Sequence, residues 1–394
     1  MKKTLLSRKE DFGFTIFNQE TFETSHISHN ELEKVISTLP TKLKEETNHN
    51  YTAGILKAPV RVYLDLTRKC NLYCRTCVNN SRYSMNHEMS IEEYEKIIDQ
   101  LAKSEVFELR FTGGEVTTFP GWNILLKKSQ EKGLITSMNT NGLFSIKNRE
   151  HIVDACPAEV SVSVDGGPNV NDFIRGNGTF LRALDTARYL HQNGVRVTVN
   201  SVLTRHTNEK DLEMLMSAFE FCADISFFHG RPIGRGYGMK NEMLDFYSLQ
   251  NVNEVIEKLR SKFSGLAIRT KSPSLTQSAI PSRLTIELGL LSGGSDGFTR
   301  FNIFPDGSTF VGGCVPYVNP AKYLSLSAGN VQDHDYSIDS IWHKSEVLWT
   351  QRKELSFYQQ RCEECPEYKI KCSGFTPEME EYRKLYGENK FCIK

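Results

Sequence analysis

The chain has 394 residues, 39% hydrophobic and 24% charged, enough for roughly two to three domains with a sizeable core. Lysine plus arginine and aspartate plus glutamate each number 48, so the formal charge is zero and points to no nucleic-acid or membrane-surface partner. No apolar run approaches the roughly 18 residues of a spanning helix. The basic start, Met1 to Glu10, lacks the apolar stretch of a secretory signal, so a cytoplasmic, oxygen-poor setting is expected.

Residues 1–58 read as a separate N-terminal segment. Phe12–Phe17 and Thr21–Ser25 flank Asn18-Gln19-Glu20 as a hairpin. Asn30 caps a short helix over Glu31–Leu39, supported by Glu33. From Val60, β-rich runs at Val60–Leu66, Phe107–Phe111, Leu134–Asn139, Val160–Val164, Val195–Val199 and Ile225–Phe228 alternate with helical patterns such as Ile91–Ala102, Trp122–Glu131, Leu181–Gln192 and Leu212–Phe221. This alternation predicts an α/β fold with a parallel sheet and right-handed crossovers over residues 59–264. Six units suit a partial (β/α)6 barrel of the TIM type, with a flavodoxin-like open sheet as the alternative. Ser- and Gly-rich Lys262–Gly297 marks a boundary. Residues 265–394 then make a linker and a small Cys-rich domain, with a hairpin of Phe301–Phe304 and Thr309–Val311 around Asp306-Gly307.

Ten cysteines lie at 70, 74, 77, 156, 222, 314, 362, 365, 372 and 392. Two short-spaced groups, without a secretory signal, read as metal or cluster ligands and not as disulfides. Cys70, Cys74 and Cys77 follow the first strand. Iron–sulfur clusters are held by thiolates at such spacings, and three ligands leave one iron of a four-iron cluster open. The other strands end in Thr112-Gly113-Gly114-Glu115, Asn139-Thr140-Asn141-Gly142, Ser163-Val164-Asp165-Gly166-Gly167, Asn200, and Gly230-Arg231-Pro232-Ile233-Gly234-Arg235-Gly236. In parallel barrels functional groups gather at these C-terminal strand ends. Gly113 and Gly114 suit close approach of backbone to a ligand, and Glu115 suits an ammonium group. Arg231 and Arg235 can grip a peptide backbone or an acidic side chain, or brace their own loop.

Cys-x3-Cys-x2-Cys after a first strand and Gly-Gly-Glu after a second resemble the radical S-adenosylmethionine (SAM) enzymes. The resemblance covers residues 60 to about 236 and implies that Cys70, Cys74 and Cys77 hold a [4Fe–4S] cluster whose open iron is chelated by SAM. It implies that Gly113, Gly114 and Glu115 line the methionine end, that Ser163 and Arg175 reach the carboxylate, and that Asn139, Asp165 and Asn200 lie near the ribose. The family's aromatic residue before the third cysteine is Thr76 here, and Tyr73 is expected to supply that cover. The implied chemistry is reductive cleavage of SAM to a 5′-deoxyadenosyl radical that abstracts hydrogen from a substrate.

Cys362-x2-Cys365-x6-Cys372, with Cys392 beyond, suits a tetrahedral zinc site or a fully ligated [4Fe–4S] cluster. With Phe304-Pro305-Asp306-Gly307, Gly329-Asn330-Val331 and Ser340-Ile341-Trp342, it resembles the SPASM extension of radical SAM enzymes. That extension usually carries two auxiliary clusters on seven cysteines. Here two of those positions fall near His334 and on Thr376, which implies one auxiliary [4Fe–4S] cluster on Cys362, Cys365, Cys372 and Cys392. Cys314 is then a spare thiol: a hydrogen donor, a holder of a substrate thiol, or a packing residue. His334 is a ligand or a solvent-facing loop residue, and Cys156 and Cys222 are expected in the core. The resemblance implies a precursor-peptide substrate and a flavodoxin- or ferredoxin-type electron donor. Phe12–Ile36 resembles a shortened peptide-recognition domain, which would hold a leader by strand addition. A small-molecule substrate and a zinc-stabilised binding protein are the rival readings.

Overall fold

The computed structural model describes residues 5–28, 56–271, 297–318, 320–352 and 364–366. The helix expected over Glu31–Leu39, and Cys362, Cys372 and Cys392, lie outside the described residues.

The N-terminal hairpin is a three-stranded antiparallel sheet: β1 (Leu5–Glu10), β2 (Gly13–Asn18) and β3 (Thr24–Ser28), with β2 in the middle. β1 escapes a sequence reading because Arg8 and Glu10 look like surface residues. Both are buried as an ion pair at 2.7 Å. The Arg8 guanidinium also donates to the carbonyls of Ala58, Pro59 and Glu105 and stacks over Phe107.

The main sheet has the order β10-β9-β8-β7-β6-β5-β4-β11-β12-β13. The six expected strands are β4 (Arg61–Asp65), β5 (Glu108–Thr112), β6 (Ile135–Thr140), β7 (Glu159–Ser163), β8 (Val197–Leu203) and β9 (Asp224–His229), all parallel. Two further parallel strands extend them: β10 (Ala267–Lys271) beside β9, and β11 (Arg300–Ile303) beside β4. β12 (Ser308–Phe310) pairs with β11 around the Asp306-Gly307 turn, and β13 (Gly329–Asn330) pairs with β12.

Crossover helices pack outside: α1 (Ile91–Lys103), α2 (Trp122–Glu131), α3 (Ile146–Ala155), α4 (Pro168–Arg175), α5 (Thr179–Gln192), α6 (Glu209–Ala218) and α7 (Phe246–Lys262). Helix α1 begins in a capping box between Ser90 and Glu93 and buries Tyr94, Ile97, Ile98 and Leu101, one stripe at helical spacing. The Tyr94 hydroxyl donates to the carbonyls of Asp65 and Leu66, so this helix also fixes the end of β4.

Most strand positions alternate. Leu64, Leu109, Phe111, Val160, Val162, Val197, Val199, Ile225 and Phe227 are buried against the helices. The opposite, inner face is polar: Arg61, Glu108, Arg110, Ser137, Asn139, Glu159, Ser161, Ser163, Thr198, Asn200 and Ser226.

The two ends of this inner face differ. At the N-terminal strand ends, Phe12 and Phe17 join Val60, Phe107, Ile135 and Phe298 in a separate apolar cluster, so the three-stranded sheet caps that end. Behind the cap, Arg110 donates to Glu108 at 3.0 Å and Glu159 at 2.7 Å, and Arg61 pairs with Glu108.

The C-terminal segment is stitched on by α8 (Ile338–Lys344). Its Trp342 is fully buried, packs edge-on against Phe301 and donates to the Leu56 carbonyl at 2.8 Å.

Candidate active site

The three thiols share one turn above β4. The Cys77 amide donates to the Cys74 carbonyl at 3.3 Å, and Cys70, Cys74 and Cys77 are each half-buried. Burial pushes the Cys70 thiol up to about 11, against a hydrogen bond from the Leu72 amide, and burial also raises Cys74. The Arg175 and Arg235 cations act on Cys74 in the opposite direction.

This arrangement suits a thiolate-held cluster. Three half-buried thiols sit within electrostatic reach of one another and of two guanidinium groups. Among the described residues no three His, Cys, Asp or Glu side chains converge as a single metal ion needs. Loading such a site displaces the thiol protons. When bound, the cluster and SAM supply one-electron reductive cleavage; the protein's part is to hold, orient and shield them.

The glycines of Thr112-Gly113-Gly114-Glu115 serve a close approach, but to the protein's own chain. A Cβ on Gly114 would lie 2.2 Å from the Lys69 carbonyl oxygen, and one on Gly113, at φ +132°, would lie 2.6 Å from that of Thr67. The bare backbone lets Gly114 N–H donate to Thr67 at 2.6 Å and Glu115 N–H to Lys69 at 2.9 Å. The second strand end is thus bolted to the residue before Cys70.

Glu115 is fully buried and ties this turn to the third strand end. Its carboxylate accepts from the Thr117 and Thr140 hydroxyls and from the Thr117 and Asn141 amides, at 2.8–3.2 Å. Burial still pushes its carboxyl up, with those donors opposing. Asn141 continues the link, donating to Asn71 Oδ1 at 2.7 Å and lying 3.8 Å from the Cys70 sulfur.

Asp165 and Arg175 meet as an ion pair at 2.8 Å, and Asp165 also accepts from the Val202 amide. Arg175 ends α4, whose Ile174 carbonyl accepts from the Arg75 amide inside the cysteine loop. Ser163 and Asn200 are register partners, both half-exposed on the inner face. Asn139 lies lower, accepting from Arg110 at 3.3 Å.

Tyr73 is 63% exposed and lies against the Arg235 guanidinium, 4.0 Å from the ring centroid. Arg235 is wholly engaged with the cysteine loop. Its guanidinium donates to the carbonyls of Cys74 and Ser81 and to Asn80, and its amide to the Cys77 carbonyl. Arg231 sits half-buried near His229, which burial chiefly, and then Arg231, keeps neutral.

Cys314 comes from the C-terminal segment to the edge of this site, packed with Ile233, Val318 and Val78. His334 is part-buried and its Nδ1 is hydrogen-bonded to Ser340 at 2.9 Å, at the start of α8, so it is not a free loop residue. Cys222 is buried as expected. Cys156 is not: it ends α3 in a left-handed conformation (φ 45°) and is exposed. Cys365 is half-exposed.

Sequence reasoning missed Arg68 and Glu88. Buried Arg68 lies under the loop, over Tyr317 at 4.3 Å and Phe304 at 5.1 Å, and donates to the Asn79 carbonyl. Glu88 accepts from the Thr67 hydroxyl and the Arg68 amide. Neither has a local pattern to betray it.

Residues 64–219 match the model of the Radical SAM superfamily, so the chain carries a radical SAM domain and is an enzyme. PqqA peptide cyclase of Rhodopseudomonas palustris is 25% identical over 334 residues, 80% of this chain and 81% of that protein. AdoMet-dependent heme synthase of Oleidesulfovibrio alaskensis is 26% identical over 323 residues, 79% of this chain and 80% of that one. Streptococcus suis SuiB, crystallised with precursor peptide SuiA, has the same fold with a TM-score of 0.71 at 18% identity, over 89% of each chain.

Proposed function

We propose that this radical SAM enzyme modifies a ribosomally made precursor peptide, by cross-linking, thioether formation or epimerisation. The observation that carries the reading is the likeness to PqqA peptide cyclase, which runs over 334 residues, well beyond the 64–219 core. A polar inner wall supports it: half-exposed Thr112, Ser163 and Asn200 offer hydrogen bonds to a peptide backbone.

In this reading Cys70, Cys74 and Cys77 hold the SAM cluster. Tyr73, Gly113, Gly114, Glu115, Asn139, Ser163, Asp165, Arg175 and Asn200 surround SAM. Because Glu115 already accepts several protein hydrogen bonds, its main part is to fix the rim on which SAM rests. Cys362, Cys365, Cys372 and Cys392 hold one auxiliary [4Fe–4S] cluster, and Cys314 donates hydrogen at the site's edge. A flavodoxin- or ferredoxin-type protein delivers the electron, in the cytoplasm. Arg231 is the candidate to grip substrate, and Arg235 is committed to the loop. The N-terminal sheet contributes as a cap more than as a mobile peptide holder.

The test is anaerobic incubation with SAM, reductant and short peptides encoded beside this gene, followed by mass spectrometry. Loss of two hydrogens marks a cross-link, and deuterium uptake without other mass change marks epimerisation. A small cofactor-precursor substrate is the second reading, favoured by the equally long likeness to AdoMet-dependent heme synthase. Turnover of a tetrapyrrole, with every peptide left unchanged, would sink the peptide reading.

A further inference from the structure

The loop after β9 reaches the loop after β4, although five strand-to-strand steps separate these strands in the sheet. Arg235 makes the join. Its Nε donates to the Cys74 carbonyl at 2.9 Å, and its Nη atoms donate to the Ser81 carbonyl at 3.0 Å and to Asn80 Oδ1 at 3.1 Å. Its backbone N–H donates to the Cys77 carbonyl at 3.0 Å. The Arg235 guanidinium also lies over the Tyr73 ring, 4.0 Å from its centroid.

The preceding residue has to be glycine for this to happen. Gly234 has φ +56°, and a Cβ there would lie 2.2 Å from the Val78 carbonyl oxygen and 2.7 Å from that of Cys77. Loop and latch therefore touch backbone to backbone at Cys77 and Val78, and the Arg235 side chain extends the contact to Cys74 and Ser81.

Two consequences follow from elementary chemistry. First, carbonyls on a cysteine turn that accept from one rigid fork cannot swing independently, so the thiols keep their spacing. Second, a permanent cation beside thiolates favours whichever state of the group carries more negative charge. A cluster that gains an electron becomes more negative.

We propose that Arg235 is a positioning residue for the SAM cluster: it latches the cysteine loop across the mouth of the sheet and biases the cluster toward its reduced state. The assignment rests on the cluster reading and is independent of the substrate. Fork and charge act separately, so two variants separate them.

The experiment uses the anaerobically purified, cluster-loaded full chain. Redox titration followed by electron paramagnetic resonance gives the cluster's midpoint, and iron release to an external chelator gives loop retention. Arg235→Gln is expected to shift the reduction equilibrium about tenfold against the reduced cluster, about 59 mV for one electron, and to release iron faster. Arg235→Lys is expected to keep the midpoint near wild type, because the charge stays, yet to release iron faster, because the fork is lost.

Equal midpoints and equal release rates in all three proteins, with matching circular dichroism, would overturn the latch. A cluster that is more easily reduced in Arg235→Gln would overturn the electrostatic half. Wild-type protein that holds no cluster at that loop would overturn the enzyme assignment, and the latch with it.

Discussion

The two ends of the inner face are built from opposite materials. The mouth is held at backbone groups: Gly113 and Gly114 allow the close approach, and the carbonyls of Thr67, Lys69, Cys74 and Cys77 accept the bonds that fix the cysteine loop, from main-chain amides and from the Arg235 side chain. The floor is side chain: Arg61, Glu108, Arg110 and Glu159 form a charge chain sealed by Phe12, Phe17 and Phe107. A site that must accept a cofactor needs most of its side chains free to face it, so much of its scaffolding falls to main-chain groups. An end that only has to stay shut can spend its side chains on one another. Substitutions at the mouth should therefore remove chemistry, and substitutions at the floor should remove stability.

The largest separation is expected from Cys74→Ala. SAM cleavage should fall to background and iron at the loop should be lost, while the melting temperature of the iron-free protein stays that of iron-free wild type. A melt lowered by many degrees would break the contrast.

At the floor, Arg110→Met leaves Glu108 and Glu159 buried with part of their pairing gone. Removing one member of such a buried pair costs about 3–5 kcal/mol, to be read by denaturant unfolding. SAM binding per folded molecule is expected to persist.

Gly114→Ala tests the bolt itself. The added methyl would meet the Lys69 carbonyl at 2.2 Å, so the cysteine loop has to shift. Iron retention should drop severalfold with unfolding free energy changed by less than in Arg110→Met. Unchanged iron binding would mean that the bolt does not set the loop.

The smallest effect is a pH dependence of the cap. Burial, helped by Arg8, lowers the His26 pKa to about 4, while its unfolded value is near 6.5. The folded state holds His26 neutral, so the unfolded chain takes up the proton first as pH falls. Stability of the cap is full above about pH 6.5 and declines toward pH 4, by at most about 3 kcal/mol. Hydrogen exchange in residues 13–28, corrected for intrinsic rate, should quicken between pH 7.5 and 5.5 in wild type and less in His26→Gln.

Legibility in the sequence followed the same divide. All six expected strands appear within a few residues of their predicted bounds, because their outward faces carry regular apolar runs. The cysteine loop and Gly113-Gly114-Glu115 were legible as short-range patterns. The purpose of those glycines was not, since their crowding partners, Thr67 and Lys69, lie on another strand end. The floor was not read: Glu108, Arg110 and Glu159 lie in or beside the expected strands, but nothing local shows that they pair across the inner face. β1 was hidden because Arg8 and Glu10 neutralise each other only once folded. β10 and the parallel pairing of β11 with β4 were hidden because sheet order is not written locally.

That last pairing has a consequence for biosynthesis. The strand that launches the cysteine loop has β5 on one edge and β11 on the other. Its second neighbour, Arg300–Ile303, leaves the ribosome some 240 residues after β4 itself. Until then the edge of β4 is unpaired and the pocket wall on that side is missing. In the proposed reading, cluster loading into a finished loop waits on the emergence of β11, and nascent protein truncated before β11 should bind iron loosely at Cys70, Cys74 and Cys77.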